Sequence, residues 1–382
     1  MNAKKTILIL CDWFLPGYLG GGPIQSIATL TKQLGNDLNF KIITTDRDFK
    51  AKEPYKNITN NCWTTYEGRS VFYISQDQLT PDFLLNLIQS TPHDTIYLNS
   101  LFSKHFAVNP LKWKQQGKIK TPLIIAPRGM FSNSALAVKP LKKKLFFIYA
   151  KWCGLFKNIH WQSTSPQETM DIKKHVGVSV KLTEITNLPY TPSAISVIEK
   201  KPGELKICFI ARILGIKNLD FAIDVLKDIN KYPVIFDIYG PKEDLDYWNL
   251  CEDKIKTLPE NIICTYKGVL QPHEIGRTLS AYHVLLLPTQ TENFGHVIVE
   301  TFLQGRPVII SDNTPWRELK TKKVGFDLSL NHKEQFTEAI NHLIQLDDEG
   351  FKSMSENCIN YINTQLNIEN IKAKYLTLFN QS

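Results

Sequence analysis

At 382 residues, 43% of them hydrophobic and 21% charged, the chain has an ordinary globular composition with room for two domains, which excludes intrinsic disorder. A net charge of +8 and a pI near 8.9 suit an anionic partner: a phosphate-bearing ligand, a membrane surface or nucleic acid. The seven cysteines, Cys11, Cys62, Cys153, Cys208, Cys251, Cys264 and Cys358, are scattered, odd in number and never spaced as a CxxC pair, so neither a disulfide framework nor a zinc site is indicated and a reducing cytoplasm is expected.

The opening "MNAKKTILILCDWFLPG" has a basic start and an apolar run, but the run is short and no small-residue cleavage site follows. It reads as a first buried strand. Next comes "GGGPIQSIATL", residues 20–30, a glycine-rich turn into a helix; it is not a GxGxxG, which argues against a dinucleotide oxidoreductase. Strands are then expected at "FKIITTD", "VFYIS", "TIYLN" and "PLIIAP", alternating with segments of helical period, the pattern of βα units and parallel sheets.

Residues 139–157, "KPLKKKLFFIYAKWCGLFK", set six lysines around Leu145, Phe146, Phe147, Tyr149, Trp152 and Phe156, the composition of a helix lying on an anionic membrane surface. The aromatics run nearly all round it, so some of them must pack inward. Between 188 and 204, Pro, Ser, Lys and Gly cluster without periodicity, and the domain break is expected there. Beyond it, strands are expected at "LKICFIA", "PVIFDIYG", "NIICTYKG", "HVLLLP" and "PVIIS". Two similar successions predict two doubly wound α/β domains whose ligands bind beyond the carboxyl ends of the strands, the two facing each other across a cleft. No apolar run approaches the roughly 20 residues that span a bilayer.

Two stretches carry candidate chemistry. In "FIARILGIKNLDFAIDVL", residues 209–226, a strand ends at Ala211, Arg212 and Lys217 follow, and a helix begins near Asn218. Two cations at a strand's carboxyl end can close on a diphosphate, arginine by a forked contact and lysine as a point charge. In "TENFGHVIVETFLQGRPVIISDNTPWREL", residues 291–319, a helix is expected from Gly295 to Gly305, with Glu292 in the loop before it and Glu300 inside it. Eight residues of full helix span about 12 Å, too far for acid and base work on one bond. The helix N-terminus between the two acids seats phosphate. A ligand with hydroxyls at both ends and an anion in the middle, as a nucleotide sugar has, fits that layout.

The order R(x4)K, then E(x7)E around Phe-Gly, then "GRPVIISDNTPW", together with "IYGP" at 238–241, "YKGVL" at 266–270 and "LLLPTQTENFG" at 285–295, resembles the retaining family 4 glycosyltransferases of GT-B fold. The resemblance implies that Arg212 and Lys217 bind the donor diphosphate, that Glu300 holds the ribose hydroxyls, and that Glu292 holds the transferred sugar. It places the backbone of Asn293, Phe294, Gly295 and His296 at the distal phosphate and makes Gly21 and Gly22 of the glycine loop donor contacts. Relatives often carry a histidine and an HGM or RGM triplet where this chain has Asn99 in "YLNSLF" and Arg128 in "APRGMFSNSAL", with His105 nearby as the remaining acceptor-side candidate.

The domains implied are 1–190 for the acceptor, 191–365 for the nucleotide sugar, and 366–382 as a helix returning to the first. The implied activity moves a hexose-type sugar with retention from a nucleoside diphosphate sugar to a glycan or lipid-linked acceptor in surface polysaccharide synthesis, lipopolysaccharide or capsule. No cofactor beyond the donor and no metal is expected. Nucleic acid is not expected as a partner, and the place of action is the cytoplasm, peripherally at the inner face of the plasma membrane. The alternatives are a nucleotide-sugar epimerase of the same fold and a basic nucleic-acid-binding protein, the latter lacking any recognisable binding module.

Overall fold

The computed structural model describes residues 4–190 and 198–381, so the centre of the expected break at 188–204 lies outside the described residues. The chain divides into two compact units, Met1–Leu188 with Ile368–Ser382, and Pro189–Asn367.

The first unit is built on β1 (Thr6–Leu10), β2 (Asn39–Thr45), β3 (Trp63–Tyr66), β4 (Arg69–Ile74), β5 (Thr95–Leu98), β6 (Leu123–Ile125), β7 (His160–Ser163) and β8 (Leu182–Glu184), ordered β3-β4-β2-β1-β5-β6-β7-β8. All pair in parallel except β3, which returns antiparallel on β4 through the Glu67-Gly68 turn, both residues at positive φ. The second unit carries β9 (Leu205–Ile210), β10 (Val234–Tyr239), β11 (Ile262–Gly268), β12 (Val284–Leu287), β13 (Val308–Ser311) and β14 (Gly325–Leu328), in the order β11-β10-β9-β12-β13-β14 and wholly parallel.

Central strands such as β1, with Ile7 to Leu10 fully buried, and β12, with Val284 to Leu287 buried, are continuous apolar runs because helices cover both faces of the sheet. Four strands escaped the sequence reading, β3, β7, β8 and β14. The β7 segment "HWQS" is polar yet buried, and Gln162 there is satisfied by Ile185 O at 2.9 Å and by the Tyr375 hydroxyl at 3.0 Å.

Tyr375 belongs to the helix Ile368–Asn380, which packs on the first unit: the Phe379 ring meets Phe40 and Tyr97, and the Lys5 ammonium donates to Phe379 O at the helix C-terminus, 2.6 Å away. In the second unit a lysine does similar work. Lys200, only 1% exposed, donates to Ile344 O and Leu346 O and so caps the helix Lys333–Gln345.

Gly240 ends β10 at φ +140°, and a Cβ there would lie 1.7 Å from Ala211 O, at the end of β9. Only glycine allows those two strand ends to approach. Gly268, at φ +89°, has open space where its Cβ would be. Gly268→Ala should therefore cost about 1 kcal/mol of backbone strain, whereas Gly240→Ala must also displace the chain beside Arg212 and should cost more than about 2 kcal/mol. Urea unfolding of the two variants checks the order.

Candidate functional site

In the second sheet the chain leaves β9 toward β10 on one side and returns to β12 on the other, so the carboxyl ends of β9 and β12 form a topological switch point, where such sheets bind ligands. The sequence candidates lie there. Arg212 follows β9; a short turn, Gly215–Lys217, leads through Asn218 at φ +63° into the helix Leu219–Leu226. From β12 the chain runs through Glu292 into the helix His296–Leu303, which begins one residue later than expected.

Backbone bonds join these loops. Gln290 N–H donates to Ile216 O at 2.8 Å and Thr289 Oγ1 to the same oxygen at 3.1 Å. The loop after β13 closes the other side: Glu292 N–H donates to Asn313 O at 3.1 Å, and Trp316 Nε1 donates to Phe294 O at 2.6 Å. Phe294 is buried between Trp316 and His296, which locks the loop it begins. Gly295 stands at φ +77°, where a Cβ would come within 2.8 Å of Ile298 Cδ1 and 3.1 Å of Glu292 Cγ. A larger residue would open the helix start.

The charges are already paired. Lys217 Nζ lies 2.6 Å from Glu292 Oε2, and Arg212 Nη1 lies 3.2 Å from Glu243 Oε1. Two cations expected to converge on an anion thus each hold a carboxylate. Glu243, after β10, was missed by the sequence reading; an acid in the polar loop "GPKED", one of two there, carries no pattern beyond its place at a strand's carboxyl end. The N–H of Asn293, expected at a phosphate, donates to Glu292 Oε1 at 3.2 Å.

The two glutamates of the E(x7)E stretch sit in opposite environments. Burial opposes ionisation of Glu292, but the Lys217 ammonium, its hydrogen bond, the Asn293 N–H and His296 outweigh it and hold the carboxyl below its ordinary pKa. Glu300, in the second turn of the helix and 6% exposed, has an Oε2 with no hydrogen-bond partner among the described residues, and burial pushes its pKa up to about 8. At neutral pH one is a carboxylate and the other an acid.

In the first unit the equivalent switch point lies between β1 and β5. Gly21, at φ +67°, caps the helix Gly22–Leu34 at the end of the glycine loop. Asn99 follows β5 and donates to Pro23 O at 3.1 Å, tying that loop in. Its Oδ1 accepts from Arg128 Nε at 2.7 Å, while Arg128, at φ +55°, also donates to the Tyr97 hydroxyl at 2.7 Å and to Asn187 Oδ1. Asn99, Arg128 and the glycine loop are therefore brought together, with the guanidinium held by protein oxygens.

His105 lies in the π turn Lys104–Val108; its buried Nδ1 has no partner among the described residues, and burial together with Lys104 lowers its pKa. Asp12, unremarked in the sequence, follows β1 directly and accepts from Ser103 Oγ at 2.6 Å; burial raises its pKa. An acid placed immediately after the first strand was the available signal.

Among the described residues no cluster of three His, Cys, Asp or Glu side chains is arranged to hold a metal, and no helix is long and apolar enough to cross a membrane.

Residues 192–364 match the family model for glycosyl transferases group 1. Among curated proteins none is similar in sequence. Solved structures with the same fold include sucrose-phosphate synthase from Thermosynechococcus elongatus, at 14% identity and TM-score 0.72 over 99% of both chains. HepE of Anabaena in complex with UDP-glucose aligns at 16% identity and TM-score 0.72 over 99% of this chain and 100% of that one. WaaG, a glycosyltransferase involved in lipopolysaccharide biosynthesis, aligns at 12% identity and TM-score 0.66 over 98% and 99%.

The raised pKa of Glu300 has a signed consequence for stability. An acid whose folded pKa lies above its unfolded value binds the proton more tightly when folded, so stability is fully present at low pH and falls as pH rises from the ordinary 4.5 to about 8. Glu300→Gln removes that titration. Its advantage over the parent should widen across this window by up to a few kcal/mol and stay constant above it, which urea midpoints measured at successive pH values will show.

Proposed function

We propose that this chain, a glycosyltransferase whose residues 192–364 form a group 1 domain within a GT-B fold, moves a hexose-type sugar with retention from a nucleoside diphosphate sugar to a glycan or lipid-linked acceptor. One observation carries the reading. Glu300, a buried acid whose Oε2 has no hydrogen-bond partner among the described residues, stands on the helix that begins beside the Lys217–Glu292 pair, at the switch point of the second sheet.

A buried acid left unpaired costs free energy unless a ligand completes it. A pair of ribose hydroxyls does so, donating to the carboxylate and drawing its pKa down. Lys217 and Arg212 then exchange their carboxylate partners for the donor phosphates, the arginine through its fork. Glu292, released from Lys217, becomes an acceptor for hydroxyls of the transferred sugar. In the empty site the carboxylates spare the cations an uncompensated charge.

Breaking the bond between the sugar and the distal phosphate builds negative charge on that phosphate, which Lys217, Arg212 and the helix N-terminus stabilise more than they stabilise the bound donor. The acceptor oxygen attacks from the side the nucleotide leaves, and its proton passes to the departing phosphate oxygen. This route requires no protein base, which suits a first unit with Asn99 where relatives often carry histidine.

HepE was solved with UDP-glucose, so uridine diphosphate sugars head the donors to be tried. The association of WaaG with lipopolysaccharide biosynthesis supports an acceptor in surface polysaccharide synthesis, used at the inner face of the plasma membrane.

The ribose assignment predicts a proton balance. Binding of UDP near pH 7 should release a proton as Glu300 ionises, making the calorimetric heat depend on the buffer's ionisation enthalpy. Glu300→Gln should bind more weakly and release none. Binding to Glu300→Ala as tight as to the parent would remove Glu300 from the nucleotide site.

For the charge-stabilising pair, Arg212→Ala and Lys217→Ala should each lower turnover at saturating donor by about a hundred- to a thousandfold, with a smaller loss of donor affinity. Arg212→Lys should restore only part, because an ammonium cannot reproduce the fork. A raised KM at unchanged kcat would instead mean that the two residues bind ground state and transition state alike.

A further inference from the structure

A cavity of about 950 Å³ opens in the first unit at the amino ends of its strands, lined by Leu123 at the start of β6, His160 at the start of β7 and Lys181 just before β8. The candidate site lies at the opposite, carboxyl ends. Nothing in the proposed transfer uses this cavity.

Its lining is one-signed. Lys151, Lys157, Lys174 and Lys181 border it, with no aspartate or glutamate among the described lining residues. All four lysines are exposed, and none has an ion pair among the described residues. Four uncompensated cations around one concavity raise the local concentration of anions.

A second, independent feature lies within. His160, 7% exposed, bonds through Nε2 to Thr183 Oγ1 at 2.8 Å, while its buried Nδ1 has no partner among the described residues. A buried ring nitrogen left over in this way is a polar group awaiting a partner.

The helix Pro140–Trp152 supplies one wall through Phe147, Ala150 and Lys151. Phe146 and Phe147 face the core. Leu141, Leu145, Ile148, Tyr149 and Trp152 are instead exposed, by 76%, 66%, 58%, 38% and 85%. At roughly 100° per residue these five fall within an arc of about 100°, a single apolar stripe. Lys142 flanks it on one side and Lys144 and Lys151 on the other, the side toward the cavity. Lys143 points away, donating to Ala135 O with its ammonium over the Phe102 ring, so it is not one of the surface cations the composition suggested.

An apolar stripe this exposed needs a cover. A second copy would bring these lysines against their equivalents, and a nucleic acid in water has no use for leucine and isoleucine. A membrane satisfies both features at once. We propose that the cavity binds the phosphate headgroup of an anionic phospholipid while the stripe of helix Pro140–Trp152 lies in the lipid interface beside it. Lys151 marks the boundary, its stem on the apolar side and its ammonium at the headgroup. The inference stands on the first unit alone and is independent of the donor-site reading.

The test separates a headgroup site from general surface charge and from a soluble-anion pocket. Dihexanoyl phosphatidylglycerol, below its micellar concentration, should raise the thermal midpoint of the parent, as a ligand of the folded state does. It should do so much less for the double variant Lys174→Glu, Lys181→Glu, whose exposed positions leave folding intact. Lys142→Glu should keep the response to soluble lipid yet bind phosphatidylcholine–phosphatidylglycerol vesicles about fivefold more weakly, since each lysine near such a surface is worth about that factor. Leu145→Ser with Trp152→Ser should lose vesicle binding and retain the soluble lipid. Stabilisation by inorganic phosphate at the same concentration and to the same degree would overturn the lipid assignment, and an undiminished response of the double variant would overturn the site.

Discussion

The contact that ties together the loops at the second unit's switch point is the 2.6 Å pair between Lys217 and Glu292. The residues are 75 positions apart, and parallel pairing of β9 with β12 brings their loops to one point. One strand over, the same logic gives Arg212 its carboxylate, Glu243, from the end of β10. The carboxyl ends of β10, β9, β12 and β13 thus contribute in sequence an acid, two bases, an acid and the Asn313 carbonyl. Such pairs add little net stability, because desolvation cancels much of the attraction. Their effect is to leave a concentrated, partly buried set of charges compensated within itself.

Glu292 and Glu300 show that residue type does not determine charge. One accepts from an ammonium and a backbone N–H, which hold its pKa down; the other is buried, with an Oε2 that has no partner among the described residues, and burial pushes its pKa up to about 8. Between them Gly295 stands at φ +77°, where a Cβ would press on both Ile298 and Glu292, so the helix start here is one that a larger residue would disturb. A donor whose hydroxyls reach one acid while its phosphates draw the lysine from the other would change both states in one binding event.

Much of this was legible in the sequence, for identifiable reasons. Strands buried on both faces are written as unbroken apolar runs, so β1, β9 and β12 were visible. The sites followed as the residues placed just beyond them. β7 was hidden because its buried Gln162 is satisfied by Tyr375, more than two hundred residues later, and no local pattern records so distant a partner. Glu243 was hidden because acids in polar loops are common. Helix Pro140–Trp152 was readable as basic and aromatic, but which aromatics turn inward is settled by the tertiary packing of Phe146 and Phe147 against Phe102 and Phe131.

The two units place their candidates at the same topological point and then treat charge differently. In the second, four ionisable groups stand paired at the switch point, Lys217 with Glu292 and Arg212 with Glu243. In the first, Arg128 spends its donors on Asn99, Tyr97 and Asn187, and Tyr97 passes the chain on to Gln162 and Tyr375. That guanidinium fixes the loop after β6 and ties it to the carboxyl-terminal helix, so it positions rather than attracts. In the same unit, burial holds the Asp12 carboxyl above its ordinary pKa, and burial together with Lys104 holds the His105 imidazole below its own. Within the transfer proposed above, a first unit whose guanidinium is engaged by its own oxygens suits an acceptor recognised by its hydroxyls and shape, and leaves charge recognition to the unit that must stabilise a departing diphosphate.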